Sequence, residues 1–338
     1  MYRTDEQRMW GLAGAGALAL VAGFCVIALW ALVRASGQES SWPPVGYTVR
    51  IALFTLGQAA ASALLSLLLA LPVALAMARR QRFVLRPLLV ALMLLPLGLP
   101  VLPVVFGILE VWGRQGLVNA LLVELGLEER LSIYGLSGIL LAHVFFNLPL
   151  AARLMLRVLT KVPSDEWRLA ASLDFSRWSL LRLIEGPALL RVLPGIAGLI
   201  FMLCITSFSI VLILGGGPAT STLEVAIYQA LKFEFDPPRA MVLCLLQLVL
   251  TGAVFAVLAL FPDPEQDRGA RQGDSFRPDA KTLVSRMADG AVLLLFLLFV
   301  GAPLLALAVS GLKADLLRLL GDPIFLKALQ TSVSMALA

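Results

Sequence analysis

The sequence predicts an all-α polytopic membrane protein, and three features carry that expectation. Several uncharged runs reach the about 20 residues that a helix needs to cross a hydrocarbon core of about 30 Å. Only 14% of the 338 residues are charged and 59% are hydrophobic, with a mean hydropathy of +0.90, whereas a soluble domain is about a quarter charged. Finally, the two-residue alternation of a membrane β-barrel is absent, which leaves helices as the way to satisfy backbone polar groups in lipid.

Seven full spans and the start of an eighth are predicted, at residues 11–33, 51–77, 88–109, 131–152, 192–214, 240–261, 291–312 and from 327 onward. The first apolar run is long for a signal peptide and reads as a retained span. In the third, Pro96, Pro100 and Pro103 remove backbone donors and predict a bent or broken helix. A pathway-lining break and a structural kink explain these prolines equally well.

Charge sets the orientation. Arg79, Arg80, Arg82 and Arg86 follow the second span and place that end in the cytoplasm. Alternation then puts the N-terminus inside and the Glu-rich segment around Glu110, Glu124, Glu128 and Glu129 outside. Residues 162–187 fall inside, flanked by Arg153, Arg157, Lys161 and Arg191. The net charge of +5 is therefore topological, and no nucleic-acid partner is expected. Cys25, Cys204 and Cys244 lie in apolar runs without a CxxC spacing and read as small buried hydrophobes.

The predicted spans contain no Asp, Glu, Lys or Arg. Ionisable groups at mid-membrane mark many proton- and ion-coupled carriers, so their absence argues against a proton-driven carrier. The chain also has no Gly-Lys pair, which excludes a phosphate-cradling P-loop. Energy for any transport is thus expected from another subunit. The polar residues within spans are Gln58, His143, Asn147, Thr206, Ser207, Ser209 and Gln247. His143 and Asn147 are one helical turn apart and share a face. His143, Asn147, Thr206, Ser207 and Ser209 are candidates for a translocation path. Interhelical hydrogen bonding, worth about 0.6 kcal/mol per contact, is the competing reading. A lone His offers no metal site, and the spans lack an acid to complete a hydrolase triad.

Beyond the fifth span, Gly215, Gly216, Gly217 and Pro218 predict a turn, and Thr222 opens a short helix. That helix lies flat, re-enters the membrane, or belongs to an ordinary external loop. Residues 262–281 mix both charge signs with Pro and Gly and predict a flexible cytoplasmic connector. A weak repeat, Ala-Leu-x-Thr, occurs at Ala52–Thr55 and Ala328–Thr331. It suggests two related units, 1–262 and 286–338 joined by 263–285, with the second ending inside its second span.

Residues 162–187, VPSDEWRLAASLDFSRWSLLRLIEGP, form a charged, helix-patterned insert. Ser164 is expected to cap a first helix, with Asp165 and Glu166 in its first turn and Trp167, Ala170 and Ala171 on one face. The pattern breaks at Asp174 and Phe175. Ser176 is expected to cap a second helix carrying Trp178, Leu181 and Ile184, which Gly186-Pro187 then stops. Docking of a partner and snorkelling at the interface both fit such a surface.

The insert resembles the cytoplasmic coupling loop of ATP-binding-cassette importer permeases. That loop runs Glu-Ala-Ala, three residues, Gly, nine residues, Ile, one residue, Leu-Pro. Anchored on Ser176-Arg177-Trp178, its Gly falls at Asp174, its Ile at Ile184 and its Pro at Pro187; its Glu-Ala-Ala falls on Arg168-Leu169-Ala170 and matches only at Ala170. From Asp165 to Asp236 the sequence is similar to the thiamine-carrying members of this family, whose relatives carry iron(III) or polyamines.

The resemblance implies the type I importer transmembrane fold, with two six-helix units of which the second is truncated here. It implies a permease rather than an enzyme, with ATP and Mg held by a cytoplasmic ATPase dimer, a periplasmic binding protein delivering thiamine or its phosphates, and a bacterial inner-membrane location. It implies ATPase coupling through Glu166, Trp167, Ala170, Asp174, Trp178, Ile184 and Pro187. Asp174 stands where the family has Gly, at a cost of up to about 1 kcal/mol if the backbone there is left-handed. Its carboxylate is a second candidate cap for the second helix.

Overall fold

The computed structural model describes residues 43–126, 131–258, 282–313, 318 and 321–337, with scattered positions between 20 and 34. Every regular element among them is helical. The predicted span at 11–33 falls largely outside the described residues, as does the connector at 262–281.

Along the chain the helices are α1 (Val45–Arg79), α2 (Arg86–Leu92), α3 (Leu95–Gly98), α4 (Val101–Trp112), α5 (Leu117–Glu124), α6 (Leu136–Thr160), α7 (Ser164–Ser172) and α8 (Arg177–Leu180). A π-helical turn, Leu181–Glu185, leads into α9 (Gly186–Ile205). Then follow α10 (Phe208–Leu214), a 3-10 turn at Pro218–Thr220, α11 (Leu223–Lys232), α12 (Pro237–Leu258), α13 (Leu283–Lys313) and α14 (Pro323–Leu337). Six stretches among the described residues are long and apolar enough to cross a membrane: Val45–Arg79, Val101–Glu124, Leu136–Thr160, Arg177–Ile205, Pro237–Leu258 and Leu283–Lys313.

Four predicted spans change shape. The third is not one helix: α2, α3 and α4 divide it, with Leu99 extended and Pro100 preceding α4. The prolines produce the expected break. The membrane-length stretch there is α4 with α5, and Asn119 staples the turn between them. Its amide donates to the carbonyls of Gly113 (2.8 Å) and Leu131 (2.9 Å), and its oxygen accepts from the Leu131 N–H (2.8 Å). The fourth begins at Leu136 rather than 131, because Gly135 has φ 100° and its N–H is drawn to the Leu214 carbonyl at 2.7 Å. The fifth starts earlier, within the insert, and breaks at Thr206-Ser207 before α10. The seventh gains a turn and more before residue 291, since α13 opens at Leu283. Hydropathy marks where a helix leaves lipid, not where its hydrogen bonds end.

The chain divides into two compact units. The first joins residues 1–71 to 134–276. In it α6 packs on α9 and α10, and α11 packs on α12. Ile51, Leu223, Ala226 and Leu243 form one of its buried clusters. The helix expected after the glycine turn is therefore built into the bundle through α11. Gly216 and Gly217, at φ 71° and 147°, supply the left-handed backbone that the turn needs.

The second unit joins residues 72–133 to 277–338, and in it α13 packs along α4 and touches α2. A Cβ on Gly107 would collide with the Pro303 carbonyl and sit 3.2 Å from the Leu307 Cβ. That glycine sets how closely α4 and α13 approach. In both copies of the Ala-Leu-x-Thr repeat the Thr hydroxyl donates to the carbonyl four residues back, Thr55 to Ile51 and Thr331 to Lys327, each at 2.8 Å.

Candidate functional site

The insert folds around its own small core. Trp167, Ala170 and Leu180 are each 1% exposed, with Val162, Phe175 and Ile184 against them. Helix α7 opens at Ser164, one residue earlier than expected, with Pro163 rather than Ser164 at the cap position. The Ser164 hydroxyl makes no capping bond; the Pro163 carbonyl accepts the Glu166 N–H at 3.2 Å instead.

The end of α7 is a Schellman turn. The Phe175 N–H donates to the Ala170 carbonyl (3.0 Å) and the Asp174 N–H to the Ala171 carbonyl (3.3 Å). Asp174 sits at the left-handed position of this turn with φ 49°. A glycine is the usual occupant because it has no Cβ to clash, and Asp tolerates the conformation better than most residues. Phe175 folds back onto Trp167 and Ala170, the hydrophobic contact that accompanies such a turn.

Ser176, not Asp174, caps the second helix. Its hydroxyl accepts the Ser179 N–H at 3.2 Å. Gly186-Pro187 does not stop that helix. Proline has no N–H and its ring crowds the preceding turn, which would break a regular α-helix. Here the turn widens to a π-bulge, in which the Gly186 N–H reaches the Leu181 carbonyl five residues back, and Pro187 falls in the first turn of α9. Helical structure therefore runs from Arg177 to Ile205 without interruption.

Of the seven insert residues singled out from the sequence, Trp167, Ala170 and Ile184 belong to the insert's core, while Glu166, Asp174, Trp178 and Pro187 are exposed. Trp178 is 69% exposed, and Leu169, Leu173 and Leu183 lie open to a similar degree. Sequence reading missed these three leucines; for Leu169 the signal was its place two residues from Trp167, on the opposite side of α7.

A second group of polar residues lies within the same compact unit. His143 Nδ1 is 2.9 Å from the Ser62 hydroxyl, and the Asn147 amide donates to Cys204 Sγ at 3.3 Å. The Gln58 amide donates to the Cys204 carbonyl at 3.1 Å. The structure thus joins His143 and Asn147 to Gln58, Ser62 and Cys204. Thr206 is exposed and its hydroxyl donates back to the Met202 carbonyl (2.9 Å), and Ser207 and Ser209 are partly buried. Cys204 was read as a small hydrophobe; it is fully buried, but it is also the acceptor on which two side chains converge.

Residues 70–264 match the family described as binding-protein-dependent transport system inner membrane component. The thiamine transport system permease protein of Brucella abortus is 43% identical over 318 residues, covering 94% of this chain and 59% of the relative. The corresponding protein of Escherichia coli is 44% identical over 333 residues, covering 97% and 61%. The chain thus spans about three-fifths of the length of these curated relatives. Among solved structures, a bacterial ABC transporter involved in the import of the acidic polysaccharide alginate superimposes with a TM-score of 0.55 at 15% identity, covering 76% of this chain and 96% of that one. At that identity the likeness is one of fold.

Proposed function

The chain belongs to the binding-protein-dependent transport system inner membrane component family, and from that membership we propose that it is the permease subunit of an ATP-driven importer of thiamine or its phosphates. The relatives at 43% and 44% identity are thiamine permeases, which favours that cargo over iron(III) or polyamines. The permease performs no catalysis itself. ATP and Mg belong to a pair of cytoplasmic ATPase subunits, and a periplasmic binding protein presents the cargo. The chain sits among inner-membrane lipids with its N-terminus in the cytoplasm, an orientation that the arginine pattern around Arg79 supports.

The observation that carries the coupling mechanism is the continuity of Arg177–Ile205. Trp167, Ala170 and Ile184 hold the insert's shape, while Glu166, Leu169, Leu173, Asp174 and Trp178 offer its surface to the ATPase. Closure of the ATPase pair on ATP displaces that surface. Because α8 runs through the π-turn into α9, the displacement is delivered along a membrane span rather than lost in a loop. The snorkelling alternative predicts a lipid contact and no ATPase binding.

The test is uptake of radiolabelled thiamine by cells carrying or lacking the permease, with the ATPase co-purified on Trp178→Ala and parent proteins. Unchanged uptake in the deletion strain rejects the thiamine assignment. Unchanged ATPase recovery and coupled hydrolysis with both Trp178→Ala and Leu173→Asp reject the coupling surface.

A further inference from the structure

Helix α1 carries Thr55, Gln58, Ser62 and Ser66 at intervals of three, four and four residues, so they line one face. All are buried, at no more than 2% exposure. Thr55 is satisfied, accepting the Leu223 N–H at 3.0 Å, and Ser62 meets His143. The Gln58 Oε1, the Ser66 hydroxyl and the His143 Nε2 have no hydrogen-bond partner among the described residues. Gln58 and Ser66 lie about 6 Å along the helix on either side of Ser62, and His143 faces Ser62, so three unmet atoms bracket one hydrogen bond.

Unmet polar atoms in a membrane interior are costly. Where α1 needs only packing it uses alanine, as at Ala59, Ala63 and Ala70, each buried. Retaining three hydrogen-bonding groups without partners in one conformation points to a second conformation in which they are met.

We propose that this face of α1, with His143 of α6, is a hydrogen-bonding wall of the translocation route, closed here and wetted when the helices part. The inference rests on the permease reading and deepens it. The wall carries an amide oxygen, hydroxyls and an imidazole, but no Lys or Arg. It therefore takes hold of a solute through a neutral group bearing both donor and acceptor, of the amino-substituted nitrogen-heterocycle class that the aminopyrimidine ring of thiamine exemplifies. It offers no fixed positive charge to a carboxylate or phosphate.

Ser66 gives the cleanest test, because its hydroxyl loses no bond in this conformation when removed. In the full-length permease with its ATPase in proteoliposomes, Ser66→Ala keeps thermal stability and ATPase assembly but lowers thiamine uptake about fivefold, the equivalent of one hydrogen bond of about 1 kcal/mol. Ser66→Cys reacts with 2-aminoethyl methanethiosulfonate during ATP turnover and not at rest, and excess thiamine slows that reaction. Leu68→Cys, on the exposed face of the same helix, shows no protection by thiamine.

Parental uptake by Ser66→Ala together with an unreactive Ser66→Cys during turnover overturns the proposal and identifies the face as packing. Labelling that thiamine does not slow overturns the solute contact, leaving water alone. Failure of the parent permease to assemble with an ATPase refutes the underlying permease reading instead.

Discussion

Arg79 and Asp289, 210 positions apart, form a buried forked ion pair. The Arg79 Nη2 is 2.7 Å from Asp289 Oδ1, and its Nε lies 3.2 and 3.3 Å from the two carboxylate oxygens. Arg80 adds a 2.9 Å contact to Oδ2 and a 3.1 Å bond to the Ser285 hydroxyl. Both charges sit just beyond the charge-free stretches, on the last turn of α1 and the first turns of α13. Removing one partner strands the other in a poorly solvated place. Asp289→Asn is expected to cost roughly 3–5 kcal/mol, read as a lowered melting temperature of the purified permease. Because the pair is buried, added salt should not erase the difference from the parent.

Asp174 makes an opposite forecast. Its φ of 49° favours glycine, so Asp174→Gly should leave stability unchanged or raise it by up to about 1 kcal/mol. Asp174→Val should lower it, because a β-branched side chain is strained there. Denaturation of the two variants side by side checks the order.

The insert's two tryptophans should separate shape from surface. Trp167, 1% exposed, fills the core, and Trp167→Ala should cost about 3–5 kcal/mol. Trp178, 69% exposed, should leave the melting temperature nearly unchanged when replaced by alanine. Thermal melts alone give this contrast, independently of any ATPase.

Ser176→Ala removes the cap of the second helix and should cost about 1 kcal/mol. Asp174→Asn should not reproduce that loss, since Asp174 makes no cap bond there. Melting the two variants in parallel distinguishes the cap.

Burial pushes the Glu224 carboxyl above its ordinary value of 4.5. The folded state thus binds a proton more tightly than the unfolded chain. Glu224 contributes fully at pH below 4.5 and loses that contribution as pH rises through the folded value. Glu224→Gln should therefore be the more stable protein at neutral pH, with a melting-temperature advantage that shrinks on acidification.

Much of this molecule is legible one residue at a time. Runs such as 51–77 and 240–261 announce membrane spans because lipid leaves a helix no choice. Pro96, Pro100 and Pro103 announce a break because each lacks a donor. Asp174 and Ser176 mark a bend and a cap through local backbone chemistry, and both stand where expected. What a linear reading misses are facts of pairing. Nothing near Gly186-Pro187 says that a π-bulge carries the helix onward, since that depends on hydrogen bonds to Leu181. Nothing near Ser62 or Cys204 announces His143, Asn147 and Gln58 as partners, and nothing in a charge-free span predicts Asp289 beside Arg79. Local order follows from what each residue's own backbone and solvent permit; these contacts join positions 57 to 210 residues apart, and only packing brings them within bonding distance.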